Sequence, residues 1–417
     1  MDNDRDRSDS RRIVVTGLGL VTPLGVGKDE FSRRLFEGVC AIDTVKSFDT
    51  GAVSSHLGAE VRDFTPRDFI SVKNLRRMDK TSLMTAASAR MALDDAGVTI
   101  NAENRDRIGI VLGTSFGATD VTVQVAGALM GEGPSSVNPI LVPNTVMNAP
   151  AGHASIELGF RGVNITVTHF AVSAETAIAY AVSEIKRGAA DVMLAGGVDI
   201  LSKFYYESMT KFHGLSPDRG GEEGARPFDM LRNGYVIGEG SGILCLERLS
   251  SARNRGARIY CEISGSGMGS SPTLPTEWPK DTGGILRTFR RALNNAGVAP
   301  GDITAVMASA NGDRVMDAVE ARACDELFDA CEQKPYVTSV KGALGESFSS
   351  GGIRACALAL SVEKGWLPPT VGLSKPIAPM NFVMGEKKDV EVKHAVLAGI
   401  SFGGTYVYLV FSDCKSQ

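Results

Sequence analysis

Short apolar runs alternate with longer amphipathic or Ala-rich stretches along this chain, and glycines punctuate the joins. That order, strand then helix and again, predicts an α/β protein with buried sheets. Residues 13–16 (IVVT) read as a first strand ended by Gly17. Residues 82–96 carry an Ala/Leu/Met face at helical spacing and stop at Gly97, the residue type that takes the left-handed position after a helix. Residues 108–112 (IGIVL) read as an apolar strand, 174–186 as an Ala-rich helix and 191–195 (DVMLA) as a short buried strand.

The pattern repeats. RMALDDAGV at 90–98 returns as RRALNNAGV at 290–298, and an apolar strand follows each, at 108–112 and 303–308. DVMLAGG at 191 resembles AVLAGISFGG at 395, and GILCLERL at 242 resembles YVYLVFSD at 406. One match between Ala-rich helices is coincidence, whereas several in the same order point to a duplicated α/β unit. The expected organisation is a mobile polar tail at 1–10, one half at 11–250 and a second at 251–417. The join at 250–258 (SSARNRGAR) is short and carries no Pro/Ser-rich linker, so the halves are expected to pack as one body.

Composition narrows the function. The 417 residues are 43% hydrophobic, enough for a large core. A net charge of −4 gives no general basic field for nucleic acid. No apolar run reaches the roughly 18 residues of a membrane span, and the charged N-terminus has no apolar leader, so no membrane partner and a cytoplasmic location are expected. Seven scattered cysteines form no CxxC pair, which reads as reduced thiols. His56, His213 and His394 show no ligand spacing, so no metal is expected, and the glycine-rich segments match neither GxGxxG nor a P-loop. No cofactor is expected.

One segment is specific. RPFDMLRNGYVIGEGSGILCLE at 226–247 resembles the RPFD…DG(F/Y)V.GEG.G…LE signature of β-ketoacyl-acyl carrier protein synthases of the KAS II type. RRIVVTGLGLVTPLG at 11–25, the stretch 143–162 and GISFGGT at 399–405 are similar to the same family. The resemblance covers nearly the whole chain after residue 10. It implies the five-layer αβαβα thiolase fold with duplicated halves, and an intimate dimer that uses 143–162 at its interface.

The resemblance also implies where the chemistry belongs. Condensation needs a thiolate at a helix N-terminus to take the acyl group. Two imidazoles then stabilise the charge that develops as the malonyl unit loses carbon dioxide. Counting back from DVMLAGG places Ala171 at the nucleophile position, and a methyl group cannot attack a thioester. Ser309 stands where the first imidazole belongs, a shifted register offering only Asn311. Glu346 stands at the second, five residues after Lys341. A single Cys→Ala replacement would not account for the other two positions. Lys341 and Glu320 match retained family positions, and the resemblance implies that they pair at the floor of the site. That pair reads more simply as an ion pair holding two loops than as a working group. His169 reads as a hydrogen-bonded loop residue before it reads as a displaced base, and His153 reads as packing.

These losses within a retained fold resemble the ketosynthase-β subunits, or chain length factors, of type II polyketide synthases. The expected function is a non-condensing subunit that pairs with an active ketosynthase and meets acyl carrier protein with its phosphopantetheine-bound chain. Ala171 departs from the Gln common in that group, which leaves a polyene system as open as an aromatic one. Two alternatives are a malonyl-carrier decarboxylase, whose relatives keep both histidines, and an inactive homodimeric binder of acyl carriers. The resemblance puts the tunnel for the growing chain at Phe116, Ile140, Met147, Ile400 and Phe402.

Overall fold

A computed structural model describes residues 11–219 and 222–414, so the expected tail at 1–10 lies outside the described residues. The strands that carry the architecture are β1 (Ile13–Thr22), β2 (Ile108–Gly113), β3 (Asn164–Val167), β4 (Val192–Asp199) and β5 (Gly240–Arg248) in the first half. The second half supplies β6 (Cys261–Ser270), β7 (Ala305–Met307), β8 (Tyr336–Thr338), β9 (Asn381–Phe382), β10 (His394–Ser401) and β11 (Thr405–Ser412). The helices used below are α1 (Lys80–Ala96), α2 (Thr119–Glu132), α3 (Ala149–Leu158), α4 (Ser173–Lys186), α5 (Gly283–Ala296), α6 (Arg314–Phe328) and α7 (Gly351–Lys364).

The first half has the strand order β3-β2-β4-β5-β1 and the second the order β8-β7-β10-β11-β6, with β9 added at its edge. Set side by side, each half runs third-second-fourth-fifth-first. The senses agree as well: the first three strands in each list are parallel and the last two antiparallel. The halves join where β1 pairs antiparallel with β6. The duplication expected from the repeats is present, and the echoes at 191/395 and 242/406 are the fourth and fifth strands of each half.

Side chains alternate in direction along the strands, and because both faces are buried that alternation fixes the layers. Met193 and Ala195 of β4 point into a central core with Leu397 of β10, Leu409 of β11 and helices α4 and α7. Leu194 and Val198 point the other way, onto α1. Val396 and Val410 face outward onto α5 and α6. The result is helix, sheet, helix, sheet, helix, which is the five-layer αβαβα thiolase arrangement.

Gly17 does not end the first strand, which continues to Thr22. Its role is close approach. A Cβ on Gly17 would lie 2.1 Å from the Ala92 carbonyl oxygen, and one on Gly19 would lie 1.8 Å from that of Ser88, so α1 packs directly on the β1 backbone. In the second half a Cβ on Gly265 or Gly267 would lie 2.6 or 2.3 Å from the carbonyl oxygens of Ala292 and Thr288 on α5. The sequence repeat is therefore the signature of one glycine-on-alanine contact made twice.

Candidate active site in the ketosynthase position

The carboxyl ends of the parallel strands β2, β3 and β4 and of β7, β8 and β10 converge, and the loops leaving them carry every position of interest. Ala171 lies after β3 in a short 3-10 turn, two residues before the first residue of α4, and is buried. Its N–H donates to the Ser401 hydroxyl at 3.2 Å. Ser309 follows β7, is fully buried, and its hydroxyl accepts from the Ile400 N–H at 3.3 Å. Lys341 and Glu346 follow β8, and both are buried.

Both oxygens of the Glu346 carboxylate find donors within the chain. The Glu346 Oε2 accepts from Lys341 Nζ at 2.6 Å and from Asn311 Nδ2 at 2.8 Å. Its Oε1 accepts from the Phe348 N–H at 3.0 Å. The expected Lys341–Glu320 pair is not made: Lys341 has turned to Glu346, and Glu320 accepts instead from the Ser309 N–H at 2.8 Å. The reason is placement. Glu346 offers a carboxylate only five residues away, just past the short helix that Lys341 opens, and the ammonium pairs with it. Burial pushes the Glu320 carboxyl up, and pushes the Lys341 ammonium down against the pull of Glu346.

A second buried pair stands behind the first. Arg354 on α7 donates to Glu175 on α4 at 2.8 Å, and its guanidinium also reaches the carbonyl oxygens of Met307 at 3.1 Å, Ala308 at 2.9 Å and Ala398. Burial raises Glu175 even beside this cation. Sequence reading passed over the pair, though a signal existed. Glu175 and Arg354 each sit among small and apolar residues in a helix bound for the core. Two opposite charges so placed have to meet.

Aromatic rings fill the space over Ala171. Phe116 packs on Tyr205 at 3.9 Å between centroids and on Phe170 at 5.4 Å. Phe170 meets Phe348 at 4.9 Å and Phe402 at 5.5 Å. Phe170 and Phe348 are non-glycine residues in the left-handed region, with φ of 49° and 42°, each three residues before an inner helix. Such a conformation costs about 1–3 kcal/mol and persists only where the surroundings impose it.

Of the expected tunnel residues, Phe116 and Phe402 join this block. Met147 is close to Phe116 in the fold, since a Cβ on Gly117 would lie 2.6 Å from its sulfur, but it is exposed, as is Ile140. Ile400 is fully buried in the outer core between β10 and helices α5 and α6, so it lines nothing next to Ala171. Residues alternate sides along a strand, and Ile400 falls on the wrong one. His169 hydrogen-bonds through Nδ1 to the Thr176 hydroxyl at 3.2 Å, and His153 bonds the Asn144 side chain at 2.7 Å. Burial lowers both imidazoles. No cluster of three or more His, Cys, Asp or Glu side chains among the described residues is arranged to hold a metal ion. No helix among them is long and apolar enough to cross a membrane.

Comparison with known proteins matches this geometry. Residues 10–252 match the family model "Beta-ketoacyl synthase, N-terminal domain" and residues 260–374 match "Beta-ketoacyl synthase, C-terminal domain". The 3-oxoacyl-[acyl-carrier-protein] synthase 2 of Staphylococcus aureus (strain COL) is 32% identical over 414 residues, covering 98% of this chain and 100% of the relative. The solved ishigamide ketosynthase/chain length factor superposes with a TM-score of 0.91 at 29% identity, covering 97% of this chain and 99% of that one. A β-ketoacyl synthase from Burkholderia phymatum STM815 gives a TM-score of 0.90 at 27% identity, covering 97% and 100%. Matched from strand order to loop positions over both halves, the chain belongs to the β-ketoacyl synthase family.

Proposed function

We propose that this chain is a non-condensing ketosynthase-like subunit, a chain length factor, that pairs with an active ketosynthase and helps shape the tunnel for a polyketide or polyene chain. The observation that carries the reading is Glu346, held in place by Lys341 and Asn311. Loss of carbon dioxide from a malonyl thioester builds negative charge, and a fixed carboxylate at the position assigned to an imidazole opposes that charge. Ala171 supplies no nucleophile, and the rings above it leave an acyl group no seat beside it. Family membership and the relatives' names point by themselves to condensation; these three side chains turn the reading. The decarboxylase alternative needs imidazoles that neither Ser309 nor Glu346 provides.

An unpartnered surface supports the pairing. Among the described residues strand β3 is the edge of its half and pairs with β2 alone, and Ile165 on it is exposed. Helix α2 buries none of its residues although it carries Val123, Leu129 and Met130, each exposed. An open strand edge is a template for another chain, and exposed apolar side chains mark an interaction surface. In the proposed assembly the partner is a cysteine-bearing ketosynthase, and acyl carrier protein delivers its thioester to that partner.

Co-expression with the ketosynthase of the same host tests this. The expected result is a one-to-one complex with an obligate-type interface above about 2,000 Å² in which β3 is protected from hydrogen exchange. A soluble homodimer that does not take up the ketosynthase would sink the reading in favour of an acyl-carrier-binding homodimer.

A further inference from the structure

Asp199 closes strand β4 with its side chain buried, and the duplication supplies a comparison for it. The matching strand of the second half, β10, ends at Ser401. Each strand-end side chain reaches across to the other half. Ser401 Oγ accepts from the N–H of Ala171, two residues before α4. Asp199 Oδ2 accepts from the N–H of Ser349 at 2.9 Å, two residues before α7. The hydroxyl makes that one contact, whereas the carboxylate adds donors from its own half. Its Oδ1 accepts from Thr114 Oγ1 at 3.0 Å, from the Ser115 N–H at 3.0 Å and from the Phe116 N–H at 3.3 Å. A buried carboxylate is costly to desolvate and is offset only by several well-placed donors.

All of these donors belong to two of the loops that carry the aromatic block, those of Phe116 and Phe348. Phe116 is bonded directly, and Ser349 follows Phe348, whose own N–H is held by Glu346. Phe348 has the left-handed backbone, so its loop has to be restrained from both sides. The rings of Phe116 and Phe348 then meet at 5.9 Å and both contact Phe170, beside Ala171.

We propose that Asp199 is a positioning residue whose single carboxylate ties the Phe116 loop to the Phe348 loop and so keeps the aromatic block closed against an acyl thioester at Ala171. The biological consequence rests on the proposed non-condensing role; the latch itself rests on the hydrogen bonds.

The test uses the full chain carrying Ala171→Cys, with iodoacetamide as probe and peptide mass spectrometry to read alkylation at position 171 separately from the native cysteines. In the parent background the new thiol is expected to react slowly. Adding Asp199→Asn puts an amide N–H against the Ser349 N–H, or against the Phe116 loop if the side chain turns over. Alkylation at 171 is then expected to rise by about tenfold or more through local opening. Thr114→Val removes one donor and keeps the charge, and is expected to give a smaller rise of about threefold. Cys356, buried in the central core, reports global loosening. An unchanged rate at 171 in both variants overturns the proposal, and so does an equal rise at Cys356. If Asp199→Asn does not fold, Thr114→Val decides alone. Because the measurement needs no ketosynthase, its failure leaves the chain-length reading standing, and a failed co-expression leaves the latch standing.

Discussion

The Glu346 carboxylate and the Lys341 ammonium lie 2.6 Å apart, five residues from each other across the short helix Lys341–Leu344 and both closed off from water. Such a pair is weak support for stability but a strong constraint, because removing one partner strands the other. Lys341→Met is expected to cost about 3–5 kcal/mol in urea unfolding, and pairing it with Glu346→Leu to recover much of that loss. A single replacement with no measurable cost would mean that the pair is solvated.

The three altered positions act together in the proposed function. The isolated chain is expected to release no carbon dioxide from malonyl-acyl carrier protein above a blank without enzyme. Ala171→Cys alone is expected to restore neither release nor condensation, since Ser309 and Glu346 still leave the developing charge unstabilised. Radiolabelled carbon dioxide release measures both. Turnover by the parent chain would end the non-condensing reading.

The buried carboxylates set a pH dependence. Burial pushes Asp317 up to about 7 although it accepts from the N–H groups of Phe228, Asn311 and Gly312, and pushes Asp199 up to about 6. The folded chain holds such a proton over a range where the unfolded chain, near about 3.9, has released it. The stability from each is therefore full below about pH 4 and is lost as pH rises through the folded value. Burial lowers His153, His169 and His394, whose contributions have the opposite sign, growing as pH rises through the ordinary histidine range. Comparing the parent with Asp317→Asn isolates the first effect. Between about pH 5 and pH 7 the parent is expected to lose about 1–2 kcal/mol relative to the variant in urea midpoints. Parallel profiles would show that Asp317 stays charged throughout.

Product length separates wall from packing. Met147 and Ile140 are exposed, so truncating either to Ala is expected to cost the isolated chain under about 1 kcal/mol. If they line the shared tunnel, the assembled complex then makes a longer product. Ile400→Ala is expected to cost about 2–5 kcal/mol and to leave length unchanged, because its side chain lies in the outer core. Phe116→Ala opens the aromatic block at about 3 kcal/mol and is the variant expected to change both. Mass spectrometry of products from each assembled variant reads the outcome. Parent length throughout would leave a scaffolding role only.

The sequence by itself determined the architecture and pointed to the positions on which the proposed function rests. Strand and helix periodicity, with the repeat RMALDDAGV/RRALNNAGV, was enough for a duplicated α/β fold, because the glycine-on-alanine contacts of Gly17 and Gly265 leave a local composition that any copy must keep. Ala171, Ser309 and Glu346 could be singled out from the sequence because the motifs around them are local. What the tertiary structure decided is which groups meet. Lys341 chose Glu346 over Glu320, Glu175 found Arg354 across 179 residues, Ile400 turned away from the site, and Asp199 gathered two loops 150 and more than 80 residues distant. Hydrogen bonds and ion pairs act over about 3 Å. Partners so far apart along the chain are selected only once both sheets have closed on the inner helices.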